Sequence, residues 1–107
     1  MTDKHCEVGF AKSAEDDLLG ILEWYAAQLV PEVGSRLVAA IVEHVEQLEQ
    51  YPDSGRMVPE FGTPSLRELL LDPYRIVYRH DGDMVSIVRV WRSERLMEDS
   101  GLSGSGT

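Results

Sequence analysis

Apolar residues along this chain change their period once, and the change falls at the breaker cluster Tyr51-Pro52-Asp53-Ser54-Gly55. Before it, Leu18, Ile21, Leu22, Tyr25 and Leu29 recur at three- and four-residue steps, and so do Leu37, Ala40, Ile41, Val45 and Leu48. Each set is the stripe of an amphipathic helix. After it come short runs separated by turn residues: 66–71, then Asp72-Pro73, then 74–79, then Asp81-Gly82-Asp83, then 84–92. These predict three antiparallel strands in a meander, with Asp81-Gly82 as the stronger hairpin signal. One earlier strand is predicted where Cys6, Val8 and Phe10 alternate with Glu7 and Gly9. An N-terminal strand, an antiparallel helical hairpin and a three-stranded antiparallel meander make a two-layer α+β fold, with the helices on one side of the sheet.

Local signals set the expected boundaries. Ser13 and Asp16 offer a capping arrangement, and Glu15, Asp16 and Asp17 suit the positive end of a helix dipole, so the first helix is expected to start near Ala14. Pro31 ends or interrupts it. The second helix is expected over 32–51, with Gly34 near the joint allowing the two backbones to approach closely. Residues 1–98 read as one domain, and the Ser/Gly-rich stretch 99–107 reads as a flexible tail.

The formal charge of −9 argues against direct binding along a nucleic-acid backbone, since that affinity scales with the phosphates neutralised. Charge is unevenly placed: residues 1–53 carry three basic residues against eleven acids, while 54–95 carry seven arginines against six acids. All basic residues of the second half are arginines, the side chain suited to bidentate recognition of carboxylates and phosphates. The apolar stretches are interrupted by Glu23, Gln28 and Glu43-His44, so no membrane span is expected, and the polar start lacks a secretory signal, which predicts a cytoplasmic protein. Cys6 is the only cysteine, which excludes an internal disulfide and a cysteine-rich metal site. His44 and His80 have no partners at metal-ligand spacing, so neither a metal nor another cofactor is expected.

The segments Pro52-Asp53-Ser54-Gly55-Arg56, Pro59-Glu60, Leu66-Arg67-Glu68-Leu69, Tyr74-Arg75-Ile76-Val77-Tyr78-Arg79 and Val85-Ser86-Ile87-Val88-Arg89-Val90 occur in that order. In this series the chain resembles toxins of the RelE/ParE superfamily, the ParE branch most closely, over about residues 7 to 96. The resemblance implies the toxin of a type II toxin–antitoxin pair, held inactive by a cognate antitoxin. ParE-like members resemble inhibitors of DNA gyrase and are not enzymes. RelE-like members are ribosome-dependent mRNA endonucleases that use sheet lysines and arginines with a Tyr or His after the last strand. Here Arg75 matches the strand arginine, but no lysine follows Lys12 and no Tyr or His follows Trp91. The His that ParE-like sequences usually carry near Trp91-Arg92 is also absent.

Three functions therefore stand open: a gyrase inhibitor with no catalytic residue, an endonuclease with Arg75 as its catalytic residue, and a binding module that keeps the fold without toxicity. The candidate target- or antitoxin-binding residues are Arg67, Arg75, Arg79, Trp91, Arg92 and Arg95. For the strand arginines a structural role, pairing with Glu60, Glu68 or the acidic helices, weighs evenly against recognition. Arg56 is expected to cap the second helix, and Trp24 and Tyr25 to pack the hairpin, though an exposed Trp24 would suit a partner surface.

Overall fold

The computed structural model describes residues 6–92, so Arg95 and the expected tail lie outside the described residues. The elements are β1 (Glu7–Phe10), α1 (Lys12–Ala27), α2 (Pro31–Val45), a 3-10 turn (Glu46–Glu49), β2 (Arg56–Met57), β3 (Leu66–Leu71), β4 (Tyr74–Asp81) and β5 (Met84–Arg92). They build the expected α+β architecture. The sheet order is β1-β5-β4-β3-β2, with β1 parallel to β5 and the other pairs antiparallel. The two-residue β2 was not legible in the sequence, because so short a run carries no alternation.

Tyr74, Ile76 and Tyr78 of β4 point into the main core, where Ile21, Ile41, Val45, Leu48, Val85 and Ile87 meet them. Strand alternation places Arg75 and Val77 on the opposite face. That face is covered too: Val58, Glu68, Arg75 and Val77 are all buried. Residues 74–78 are thus shielded on both sides of the sheet. Between Val77 and Tyr78 the pairing slips from Arg89 to Ile87, so Val88 is an extra residue that bulges β5.

The helix ends depart from the expected boundaries. α1 starts at Lys12, and no side chain caps it. Ser13 Oγ instead donates to Val88 O (2.6 Å) on the bulged strand. Pro31 does not break α1; it opens α2 at the first helical position, where its missing N–H costs nothing. α2 gives way at Glu46 to the 3-10 turn. Gly34 does allow close approach, since a Cβ there would sit 3.1 Å from Tyr25 Cβ.

α1 ends in a paired turn in which Val30 N donates to Tyr25 O and Leu29 N to Ala26 O (both 3.0 Å). This turn requires a left-handed residue, and the chain places Leu29 there at φ 67° with 85% of its surface exposed. Leu29→Gly should therefore stabilise the protein by about 1 kcal/mol, relieving the Cβ clash without losing packing. Urea denaturation measures it, and a destabilised variant would contradict the assignment.

Candidate functional site

β1 is paired with β5 only as far as Phe10 opposite Ile87, so the outer edge of β5 beyond that point needs other partners. α1 supplies them. Ser13 reaches Val88, and Asp17 accepts from Val90 N (2.8 Å) as well as from Arg89 Nε (2.8 Å) and Nη2 (3.0 Å). The carboxylate beside it holds the Arg89 guanidinium above its ordinary pKa. Asp17 therefore works as a clamp between helix and strand, not as part of a capped helix start.

Past this clamp α1 and the end of β5 separate into a groove of about 1040 Å³. Gly20, Ile21, Trp24 and Tyr25 form the helical wall; Tyr74, Val90, Trp91 and Arg92 form the sheet wall; Asp16, Asp17 and Arg89 lie among them. Trp24 is 56% exposed and packs edge-on against Tyr25, with ring centroids 4.8 Å apart. The Arg89 guanidinium lies over the Trp91 ring at 4.9 Å, and that of Arg92 over Tyr74 at 5.8 Å. Burial, reinforced by the neighbouring Tyr25 hydroxyl, pushes the Tyr74 phenol above its ordinary pKa, so it stays neutral. The chemistry on offer is recognition: aromatic surface, stacked guanidiniums and an acid at one rim.

The strand arginines are scattered by comparison. Arg75 is 6% exposed and spent on two carboxylates. Its Nε donates to Glu68 Oε1 (2.6 Å), while Nη1 and Nη2 donate to Glu60 Oε2 (3.0 Å) and Oε1 (2.9 Å). Glu68, with no exposed side-chain surface, also accepts from Arg56 Nε. The Arg75 fork holds the Glu60 carboxyl below its ordinary pKa, and Glu60 in turn raises that of Arg75. Arg56 thus joins a buried ion cluster and does not cap the second helix.

Arg67 faces the helix side, opposite Tyr78. Its Nη1 donates to Gly55 O (3.0 Å), while its Nε, 3.4 Å from Asp53 Oδ1, is in ion-pair range but makes no hydrogen bond. Arg79 is exposed near the far end of β4. His80 bridges Asp53 Oδ1 and Gly82 O, each at 2.8 Å, tying the breaker loop to the hairpin turn.

Of the candidates among the described residues, only Trp91 and Arg92 line the groove together. Sequence reasoning did not single out Asp17, Gly20, Tyr74 or Arg89 as site residues. The first sat in an ordinary acidic helix start and the last in a valine-rich strand. Only the tertiary approach of α1 to the outer edge of β5 that β1 leaves free joins them. Among the described residues, no cluster of three metal-ligating side chains exists and no helix is long and apolar enough to cross a membrane.

A helical hairpin on a mixed sheet, together with the family match, defines the class: a toxin of the RelE/ParE superfamily. The family described as ParE toxin of the type II toxin–antitoxin system, parDE, matches residues 8–97, and the chain belongs to that family. Among solved structures it is similar to the chromosomal ParDE toxin–antitoxin system from P. aeruginosa (28% identity, TM-score 0.71, covering 83% of this chain and 97% of that one). In fold it is also similar to the toxin–antitoxin complex RelBE2 from Mycobacterium tuberculosis (23% identity, TM-score 0.61, covering 85% and 94%). No curated protein matches the chain significantly.

Proposed function

We propose that this type II toxin acts by binding DNA gyrase and is neutralised by a cognate antitoxin whose segment lies in the groove between α1 and β5. The observation that carries the reading is the groove itself. It joins aromatic walls to two stacked arginines, Arg89 and Arg92, at a strand end that β1 leaves uncovered. Trp and Arg are the residues that dominate interface energetics. An amphipathic segment with acidic positions would complement this surface.

Gly20 offers a clean test of the antitoxin site. A Cβ at Gly20 would meet nothing within 4 Å, so Gly20→Leu fits the fold and gains helix propensity while narrowing the groove. Stability should rise by about 0.5–1 kcal/mol, while affinity for the co-expressed antitoxin falls at least about tenfold, or 1.4 kcal/mol. Undiminished affinity would move the antitoxin elsewhere.

For the target, Arg79 and the C-terminal residues Arg92 and Arg95 are the candidate contacts. Purified, folded toxin added in excess should inhibit gyrase supercoiling, and antitoxin should restore it. Full activity at excess toxin would remove gyrase as the target. The endonuclease alternative asks Arg75 to stabilise a transition state, yet no lysine follows Lys12 and no Tyr or His follows Trp91 to supply the rest of that chemistry. The missing groups favour inhibition by binding.

A further inference from the structure

We propose that Glu60 masks an oxyanion-binding site at Arg75, and that a single carboxylate or phosphate group presented from outside can take its place. The site is separate from the groove and independent of what fills it. Arg75 offers Nη1 and Nη2 side by side to the two oxygens of one carboxylate, the arrangement by which a guanidinium also holds a phosphate. Behind it Glu68 Oε1 fixes the orientation of the fork through both Nε and Nη2 (2.6 Å each), and Arg56 fixes Glu68. The fork is thus preorganised by groups other than Glu60.

Glu60 itself is the replaceable member. Its side chain is 31% exposed, against 7% for Arg75 and none for Glu68, so the site is approached from solvent on the Glu60 side. It sits in a turn closed on Val58 O by Phe61 N (3.1 Å) and Gly62 N (3.0 Å), with residues 59–64 all exposed. Arg56, Arg75, Glu60 and Glu68 together carry no net charge. Moving Glu60 away leaves a shielded cation behind it, which is costly unless another anion enters. Exchange of one oxyanion for another conserves the charge, and it would release the turn that carries Phe61, already exposed. The chain's −9 charge disfavours a polyanion, so the ligand is a single acidic or phosphorylated group.

The test follows the Arg75 Nε–H resonance by NMR in the full chain, wild type and Glu60→Ala, titrated with inorganic phosphate, with acetate, and with chloride at matched ionic strength. Glu60→Ala should show saturable shifts with phosphate, acetate or both, with wild type binding at least tenfold more weakly. Saturation by phosphate alone assigns the site to phosphate groups; saturation by acetate assigns it to carboxylates. If Glu60→Ala does not fold, Glu60→Gln, which keeps the shape, takes its place. Shifts equal to those in chloride, equal binding by wild type, or failure of both variants to fold with no recovery in either anion would each overturn the proposal and leave Glu60 a structural ion-pair partner.

Discussion

Arg75→Met should destabilise the protein by about 3–5 kcal/mol, the range for removing one partner of a buried ion pair. Glu68 has no exposed side-chain surface, and Arg75 meets its Oε1 through both Nε and Nη2 (2.6 Å each) while Arg56 Nε meets its Oε2. Methionine fills much of the arginine volume, so the loss is not mainly a cavity. It is the cost of a carboxylate buried with Arg56 alone. For a domain of this size each kcal/mol corresponds to roughly 4–8 °C, so thermal melting would register a drop of more than about 12 °C. Adding Glu68→Leu should recover a large part of the loss, because removing both partners also removes the orphaned charge. Urea denaturation of the two single variants and the double variant measures this coupling. Arg75→Met within 1 kcal/mol of wild type would show that the cluster is not a structural centre. The result also governs how toxicity assays are read. An inactive Arg75 variant reports on chemistry only if it is still folded.

Gly55→Ala should be comparably severe, at about 3 kcal/mol or more, or should prevent folding. A Cβ at Gly55 would lie 2.5 Å from Glu68 O, 2.7 Å from Tyr78 Oη and 2.8 Å from Tyr78 Cε1. One obstacle is backbone and the other a fully buried ring, so neither yields easily. The position is also a junction of hydrogen bonds. Gly55 N donates to Tyr78 Oη (3.0 Å), Tyr78 Oη donates to Pro52 O (2.7 Å), and Arg67 Nη1 donates to Gly55 O (3.0 Å). Overpacking costs about 1–3 kcal/mol, and each strained or broken hydrogen bond adds about 1 kcal/mol. Burial pushes the Tyr78 phenol above its ordinary pKa, so at neutral pH it keeps the proton it gives to Pro52. Tyr78→Phe, which removes the hydroxyl from the clash, should therefore lose less than Gly55→Ala while still leaving Gly55 N–H and Pro52 C=O without partners. Denaturation curves for both variants check the order. An alanine tolerated within 1 kcal/mol would mean that the loop yields.

These two sites show unequal legibility. The breaker cluster announced that the chain turns at 51–55, because Pro and Gly act on their own backbone. It did not announce that Gly55 is required by the ring of Tyr78, twenty-three residues away. Glu60 and Glu68 were weighed as partners for the arginines, and both meet Arg75. That Arg56 joins them depends on the two-residue β2, which local pattern does not reveal. Ser13 and Asp17 looked like helix-start residues, since hydroxyl and carboxylate side chains favour such positions. The unfilled edge of β5 draws both side chains away from the helix end.

The sequence by itself determined the order and type of the main elements, the faces of the helices, the side of β4 that carries its tyrosines and the family resemblance. Those features rest on period, turn chemistry and short motifs, which are properties of neighbouring residues. Only the tertiary structure decided that Arg75 lies in a buried ion cluster, that Asp17 clamps Arg89, and that Trp24, Tyr74, Trp91 and Arg92 share one groove. Each of these depends on sheet register and on where a helix crosses a strand end. Such long-range distances are set by the packing of the whole core, and no local stretch of the chain encodes them.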